Sequence, residues 1–215
     1  MKVALFGAKG MIGSEILKEA LSRKHEVTVV VRDPKSFAAP ARVKVVAGDA
    51  SNPADVARVV AGHDAVISAV GPGRNNSTPQ PLNIVQATKG LQQGLATTAV
   101  KRLLIVGGAG SLEVAPGLQL LDSPQFPDEY RPEALAARQA LEVVKDNLVD
   151  LDWTFFSPSL VIEPGERTGQ FRIGGEQLLF DGNGQSRITV EDFAIAIIDE
   201  LEKSENVGRR VTIGY

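Results

Sequence analysis

The chain has 215 residues, a net charge of −3 and no cysteine, which excludes disulfides, thiolate-held iron–sulfur clusters and thiol nucleophiles. The small negative charge argues against a nucleic-acid-binding surface, and no apolar run reaches the roughly 20 residues of a membrane span. With no signal peptide ahead of the first apolar run, the sequence predicts a soluble cytoplasmic protein without nucleic-acid or membrane partners.

Apolar runs alternate with helical patterns over the first three quarters of the chain. The runs predict six strands, at 2–6, 26–31, 42–48, 64–70, 102–108 and 152–157. Apolar residues at helical spacing predict a helix at Ile12 to Leu21 after the first strand and another at 53–61 after the third. A helix after the fourth strand is predicted to start at Thr78-Pro79 and to contain Leu82, Val85 and Leu91, and one after the fifth strand to run from Leu135 to Leu148. This alternation indicates an α/β protein with a Rossmann-like, doubly wound parallel sheet.

The alternation ends after Pro158. Residues 163–186 are rich in glycine and polar side chains, so we expect a small C-terminal lobe from about residue 163 within one domain spanning 1–215. Thr189 and Asp192 have the spacing of a capping box and predict a helix through Leu201. A last strand is expected at 209–215.

A glycine-rich turn, with Gly7, Gly10 and Gly13, separates the first strand from the first helix. We interpret Gly7 as permitting the turn, Gly10 as letting a phosphate approach the backbone, and Gly13 as allowing tight packing of helix on strand. A helix N-terminus presents backbone N–H groups and a positive dipole, so the expected ligand is a dinucleotide pyrophosphate. The alternative is an ordinary turn whose glycines serve packing.

The residue type at the end of the second strand indicates whether the cofactor's ribose has a 2′-phosphate, because an arginine there accommodates that phosphate. Arg32 precedes Asp33, and Lys9 in the glycine turn adds positive charge, so the sequence favours NADP over NAD. Asp49, after the third strand, has two possible roles: accepting a hydrogen bond from the adenine amino group, or capping the helix that begins near Pro53.

Both histidines fail as catalytic or metal-binding candidates. His25 and His63 each precede a strand, so we expect them at the edge of the sheet opposite the carboxyl ends where ligands bind. No carboxylate cluster has the spacing of metal ligands, and the sequence therefore predicts no metal site.

The chain resembles the atypical short-chain dehydrogenases/reductases, in particular the NAD(P)H-binding group of NADH–flavin reductases, and more distantly biliverdin-IXβ/flavin reductase. The resembling segments cover nearly the whole chain and are "ALFGAKGMIG", "VTVVVRDP", "GDASNPADV", "DAVISAVGPG", "LLIVGGAGSL", "LDWTFFSPS", "GERTGQFR" and "GQSRITVEDFAIAIIDELE".

This resemblance implies a nicotinamide cofactor and a pocket closed by the C-terminal lobe. By position, it implies that the dinucleotide contacts Gly7, Lys9, Gly10, Met11, Ile12 and Arg32. The adenine and ribose would be lined by Asp49, Ala50, Ala69 and Gly71, and the nicotinamide approached by Ser157, Pro158 and Ser159.

The chain departs from the wider superfamily at the catalytic Tyr-x-x-x-Lys pair. Tyr130 is followed four residues later by Ala134, and the superfamily tyrosine and lysine would fall near Ala134 or Leu135 and near Arg138. Tyr130 is therefore either a proton donor displaced by one helical turn or a residue on the pocket rim. Ser111 is near the expected catalytic serine.

The missing pair favours transfer of a hydride to a flavin, quinone or similar conjugated acceptor, which spreads the incoming charge and can take its proton from water. Further candidates for contacting the acceptor are Arg74, Glu166 and Arg167, the last of which pairs either with an anionic acceptor or with a neighbouring carboxylate. The alternatives are a non-catalytic redox sensor like some NmrA-like proteins and, less favoured, a sugar-nucleotide epimerase or dehydratase. A monomer or homodimer is expected.

Overall fold

The strands and helices alternate as the sequence predicts. The computed structural model describes residues 1–72, 74–75, 78–81, 83–146 and 150–215, and within 74–79 it describes the backbone alone. The main sheet contains strands β1 (Lys2–Phe6), β2 (Glu26–Val31), β3 (Lys44–Ala47), β4 (Ala65–Ser68), β5 (Arg102–Val106), β6 (Asp152–Pro158), β7 (Arg172–Gly174) and β8 (Arg209–Gly214). The helices are α1 (Met11–Ser22), α2 (Pro53–Val60), α3 (Asn83–Leu95), α4 (Arg131–Asp146) and α5 (Val190–Lys203).

The strand order of the sheet is β7-β8-β6-β5-β4-β1-β2-β3. All neighbours are parallel except β7, which pairs antiparallel with β8 at the edge. The order reverses between β1 and β4, and in open α/β sheets this switch point is where ligands bind. The predicted Rossmann-like α/β fold is confirmed, while the antiparallel edge strand was not foreseen.

Helices cover both faces of the sheet, as expected for nearly continuous apolar strands. On one face α1 and α5 pack together over a core that includes Ile16 and Phe193. On the other face α2, α3 and α4 pack side by side over a core that includes Leu91 and Phe155. None of the described helices is long and apolar enough to cross a membrane.

The start of α3 differs from the prediction. Thr78–Pro79 pairs antiparallel with Arg74–Asn75 instead of opening a helix, and α3 begins at Asn83. A Thr-Pro pair is a helix-start signal, but it is equally compatible with extended backbone, and the local pairing uses it that way. The predicted helix positions Leu82 and Leu148 lie outside the described residues.

The segment after β6 forms a small layer beside the sheet. In this layer, strands Val161–Glu163 and Arg187–Thr189 pair in parallel. Elsewhere the loops contain 3₁₀ turns at Pro34–Ser36, Leu120–Asp122 and Asp128–Tyr130, and an antiparallel pairing of Glu113–Ala115 with Leu118–Gln119. Thr189 caps α5 as predicted, because its side chain accepts a hydrogen bond from the Asp192 amide. The Asp192 carboxylate does not accept from the Thr189 amide, which would complete the capping box, because it accepts from the amides of Thr168 and Gly169.

Candidate functional site

The glycine turn brings β1 against the end of β4. Gly7 has a φ of +84°, a left-handed conformation that favours glycine, and a β-carbon there would lie 2.3 Å from the Ala69 carbonyl oxygen. The Ala69 amide donates to the Phe6 carbonyl at 2.9 Å, which continues the pairing of the two strands up to this point. The turn therefore lies at the switch point of the sheet.

The N-terminus of α1 is open toward solvent. The Gly10 amide donates to the Gly7 carbonyl at 3.0 Å, no side chain caps the helix, and its first turn has no acidic residue. A β-carbon on Gly13 would lie 2.1 Å from the Gly7 oxygen, whereas one on Gly10 would have only that oxygen within 4 Å, at 3.5 Å. Gly13 thus permits close packing, and Gly10 leaves the approach to the helix end clear.

These residues fit a pyrophosphate. The first four N–H groups of a helix have no partner within the helix, and here neither a capping side chain nor a carboxylate competes with an anion for them. Met11 is exposed and Ile12 is half-buried beside this helix end. The roles expected of Gly7, Gly10 and Gly13 agree with the geometry of the turn.

Positive charge lies at the end of β2. Arg32 is exposed and makes no hydrogen bond or ion pair with the described residues. Lys9 reaches across from the glycine turn and donates to the Ser36 hydroxyl. Asp33 caps the 3₁₀ turn that follows, accepting from the Lys35 amide at 3.0 Å, so its carboxylate is engaged while the Arg32 guanidinium is free.

The loop after β3 excludes one of the two roles considered for Asp49, the capping of α2. Asn52, and not Asp49, caps α2, accepting from the amides of Ala54 and Asp55. One carboxylate oxygen of Asp49 accepts from the Ser51 amide at 2.9 Å and the Ser51 hydroxyl at 2.8 Å. The other carboxylate oxygen has no described partner and is available to a ligand.

The other residues implied for the adenine and ribose differ in exposure. Ala50 is buried, because α3 approaches it closely: a β-carbon on Gly90 would lie 2.3 Å from the Ala50 oxygen. Ala69 is half-buried beside the glycine turn, and Gly71 is exposed with no atom within 4 Å of its β-carbon position.

The residues expected near the nicotinamide are at the end of β6 and just beyond it. Ser157, Pro158 and Ser159 are all buried. Ser159 donates to the Ile213 carbonyl at 2.9 Å, which ties it to β8, whereas the Ser157 hydroxyl has no hydrogen-bond partner among the described residues.

Ser111 lies in the loop after β5 and is buried. Its hydroxyl accepts a hydrogen bond of 2.8 Å from Nη1 of Arg210, a residue of β8. The second nitrogen, Nη2 of Arg210, donates to the carboxylate of Glu176, which lies in the C-terminal lobe. Sequence analysis missed Arg210 and Glu176, because 99 residues separate Arg210 from Ser111 and no motif connects them.

Tyr130 lies at the surface, whereas Ser111 is buried. Tyr130 ends the 3₁₀ turn before α4, is 56% exposed, and its hydroxyl has no described partner. Ala134, one turn later, faces the loop that contains Ser111: a β-carbon on Gly110 would lie 2.7 Å from that of Ala134. Arg138 turns away to Asp122, with an ion pair of 2.9 Å. The side chain that the structure places against this loop at residue 134 is thus a methyl group.

The structure describes the side chains of two of the three further acceptor candidates, Glu166 and Arg167. Arg167 pairs with Glu19 on α1 through hydrogen bonds of 2.9 to 3.1 Å, which is the neighbouring-carboxylate alternative. Glu166 is exposed and lines a cleft of about 480 Å³ beside Thr189 and Tyr215, which includes neither Ser111 nor Tyr130. The side chain of Arg74 lies outside the described residues.

A family of proteins described as NAD(P)H-binding matches residues 7–201 of this sequence. The chain belongs to this NAD(P)H-binding family. Membership establishes a nicotinamide dinucleotide as the class of cofactor, and it confirms the resemblance to atypical short-chain dehydrogenases/reductases.

Solved structures agree with this assignment and differ in their names. A "putative exported protein" from Burkholderia pseudomallei is 46% identical with a TM-score of 0.90, covering 100% of both chains. A "putative epimerase" from Bacteroides thetaiotaomicron is 40% identical with a TM-score of 0.88, covering 100% of this chain and 96% of the other. A "putative NADH-flavin reductase" from Streptococcus pneumoniae is 34% identical with a TM-score of 0.86, covering 100% and 99%.

The histidines of this NAD(P)H-binding chain lie where the sequence predicts. His25 contacts Glu202 through Nε2 at 2.9 Å, and His63 contacts the Thr28 hydroxyl through Nε2 at 2.9 Å. Both precede their strands and thus lie at the edge away from the glycine turn. Among the described residues, no three His, Asp or Glu side chains form a group that could hold a metal ion.

Proposed function

We propose that the protein is an NAD(P)H-dependent reductase that transfers a hydride to a flavin, a quinone or a similar conjugated acceptor. The observation behind this proposal is the methyl group of Ala134, which faces the loop that contains Ser111. The superfamily's catalytic tyrosine is expected near Ala134 or Leu135, and neither is a tyrosine. The family membership and the name of the Streptococcus pneumoniae relative support it.

The absence of a tyrosine there matters because of where charge develops. Reduction of an isolated ketone produces an alkoxide, which needs a positioned acid of suitable pKa. A flavin or quinone spreads the same charge over a conjugated ring, so orientation matters more than acid catalysis, and water can supply the proton. Tyr130 is 56% exposed and its hydroxyl has no described partner, so we do not assign it the role of the missing group.

The chain's own residues would hold the cofactor through the glycine turn. Backbone amides at Met11 and Ile12 would bind the pyrophosphate, which Gly10 lets approach because it has no side chain. Arg32 with Lys9 would bind a 2′-phosphate, and Asp49 would accept from the adenine amino group. Ala50, Ala69 and Gly71 would line the adenosine half, and Ser157, Pro158 and Ser159 the nicotinamide half. When bound, the reduced nicotinamide supplies the hydride.

NADPH is the proposed coenzyme in preference to NADH, because the Arg32 guanidinium is exposed and unpaired among the described residues while Asp33 is occupied as a turn cap. Ser111 is the proposed hydrogen-bond donor to the acceptor. Because Arg167 is paired with Glu19, we do not assign it to the acceptor site. The monomeric or homodimeric state and the cytoplasmic location stay predictions.

A non-catalytic redox sensor is the second candidate, since a dinucleotide site without a proton donor beside Ser111 would serve it equally well. Steady-state assays distinguish the two. NADPH or NADH is mixed with FMN, riboflavin or menadione, and the fall in absorbance at 340 nm is followed while cofactor binding is measured in parallel by fluorescence titration.

Turnover with at least one acceptor is the expected result. Cofactor binding without turnover across all three acceptors would support the sensor instead. A protein that binds neither coenzyme would contradict both functions.

A further inference from the structure

Arg210 is a buried cation at the carboxyl side of the sheet. Its side chain is only 1% exposed, and it lies on the α4 face of β8, because its neighbour Val211 belongs to the core on the α5 face. A buried charge needs a paired partner, and here it is the carboxylate of Glu176, a lobe residue whose side chain is 53% exposed. The guanidinium is therefore fixed between the lobe and the loop after β5.

The contact with Ser111 determines the direction of the serine hydroxyl. A hydroxyl has one hydrogen to donate and two lone pairs to accept with. Arg210 occupies a lone pair of Ser111 Oγ at 2.8 Å, and the Ser111 hydrogen has no described acceptor. The adjacent positive charge also polarises the O–H bond, so the serine is set as a donor.

Two further hydroxyls near this contact lack partners. Ser157 and Thr212 stand opposite each other on β6 and β8, and the alternation of side chains places both on the same face as Arg210. The hydroxyls of Ser157 and Thr212 and Nε of Arg210 are buried without a hydrogen bond among the described residues. Buried polar atoms normally have partners, so these three atoms mark an unusually polar part of the interior beside Ser111.

The lobe covers this polar cluster. The Glu113 amide donates to the Glu176 carbonyl at 2.8 Å, and the Leu178 amide donates to the Glu113 carbonyl at 2.9 Å. These bonds hold Glu176, and with it the Arg210 guanidinium, over the loop that contains Ser111. The cluster is thus assembled from β6, β8, the β5 loop and the lobe.

We propose that Arg210 is a positioning residue that acts through Ser111. It holds the serine hydroxyl as a donor to the acceptor atom, carbonyl oxygen or ring nitrogen, on which negative charge accumulates. In the proposed reaction a hydride with its two electrons would pass from the bound reduced nicotinamide to the acceptor, so that the coenzyme would be oxidised and the acceptor reduced. Ser111 keeps its proton, and water later protonates the acceptor. This inference rests on the proposed function.

A double-mutant cycle tests the inference. Wild type, Ser111→Ala, Arg210→Met and the double variant are assayed with NADPH and menadione. Removing one donor to a developing anion costs roughly 10²-fold in kcat, and we expect Ser111→Ala to lose on the order of 10- to 100-fold. Arg210→Met is expected to lose about 10-fold in wild type and nothing further when Ser111 is already alanine, with the KM for NADPH unchanged.

Binding of oxidised FMN gives a second readout that needs no turnover. Flavin fluorescence quenching is expected to give the same Kd within about twofold for all four proteins. The reason is that the hydrogen bond from Ser111 to the acceptor strengthens only as negative charge develops on the acceptor in the transition state. A Kd about tenfold weaker in Arg210→Met would mark Arg210 as an acceptor-binding residue and would overturn the inference. Multiplicative losses of kcat in the double variant would overturn it as well.

Two more variants guard against general unfolding. Arg210→Lys keeps the charge and is expected to recover part of kcat only when Ser111 is present. If Arg210→Met does not fold, Arg210→Lys in the two serine backgrounds decides the question. Arg102→Gln breaks a buried arginine–glutamate pair away from Ser111, with Glu200 at 2.6 Å, and is expected to lower the melting temperature while leaving kcat unchanged.

The outcomes separate the inference from the proposed function. A wild-type protein without turnover on any acceptor defeats both. Turnover in wild type with independent effects of Ser111 and Arg210 defeats the inference alone.

Discussion

Arg32 is the residue through which the coenzyme preference is most directly tested. We expect Arg32→Ala to weaken NADPH binding by about 10- to 100-fold, because a charge-assisted bond to the 2′-phosphate is lost, and to change NADH binding by less than about twofold. Fluorescence titration with both coenzymes measures this. Lys35→Ala is the matched control, since Lys35 lies on the adjacent turn and only its backbone bonds to Asp33. Equal losses for the two coenzymes would contradict the preference.

Tyr130 provides a second test at the scale of one residue. It is exposed and its hydroxyl has no described partner, so we expect Tyr130→Phe to keep kcat within about twofold. Steady-state turnover with menadione measures it, with Ser111→Ala as the variant that does lose activity. A loss of more than tenfold in Tyr130→Phe would instead restore this tyrosine as a proton donor.

Individual residues were predictable where the backbone alone determines their role. The spacing of Gly7, Gly10 and Gly13 identified a turn, an open approach and a close packing contact, because each depends on the absence of a β-carbon. Arg210 was not predictable, because the sequence does not show which side chains two distant segments bring together. An arginine in a terminal strand is usually solvent-exposed, whereas this one is buried against Ser111.

At the scale of elements, a substitution in the turn between β1 and α1 can change coenzyme binding without changing the stability of the fold. Gly10→Ala is expected to keep the melting temperature within about 2 °C, since its φ of −75° suits alanine and its β-carbon meets only one atom, at 3.5 Å. The same methyl group would obstruct the pyrophosphate, so NADPH affinity is expected to fall at least about tenfold. Thermal melts and fluorescence titration measure both effects.

Gly13→Ala is the contrasting variant in the same turn. Its β-carbon would lie 2.1 Å from the Gly7 oxygen, so the helix or the strand must shift, at a cost of roughly 1–3 kcal/mol. Unchanged NADPH binding by Gly10→Ala would show that the phosphate does not approach the helix at this position.

Most elements were predictable because their apolar periodicity is strong, and the exceptions have local causes. Thr78–Pro79 pairs antiparallel with Arg74–Asn75, since a proline that suits a helix start also suits an extended edge. Strand β7 was not recognised, because Arg172–Gly174 is exposed and too short to show a pattern. The capping box of α5 is half formed because the tertiary contacts of Asp192 compete with the local one.

At the scale of the whole molecule, charged side chains attach the C-terminal lobe to the sheet. Glu19 on α1 accepts from Arg167 of the lobe and from Arg23, which in turn pairs with Asp199 on α5 at 2.6 Å. Burial raises the pKa of Glu19, but the hydrogen bonds from Arg167 and Arg23 outweigh it, so the net pKa lies below its ordinary value. This carboxylate is therefore more easily ionised in the folded state than in the unfolded chain.

A lowered folded-state pKa stabilises the fold above the ordinary carboxyl pKa, and the contribution disappears as the pH falls through the folded value. We expect Glu19→Gln to destabilise the protein by about 1–2 kcal/mol at pH 7 and to make stability fall less steeply below about pH 4.5. Urea unfolding from pH 7 to pH 3.5 measures both effects. Lys18→Met, in the surface pair with Glu15, serves as the control and is expected to leave the midpoint unchanged. An acid slope equal to that of wild type would contradict the assignment.

The carboxylate of Asp192 has a consequence for the lobe's motion. It is fully buried and accepts from the amides of Thr168 at 2.9 Å and Gly169 at 2.8 Å, and from the Tyr215 hydroxyl at 2.8 Å. Both amides belong to a solvent-exposed loop, yet their protons are locked to an interior anion. In deuterated water the amide protons of Thr168 and Gly169 should exchange hours later than those of neighbouring residues. Such slow exchange would show that this part of the lobe stays in place beside the cleft and does not open and close over it.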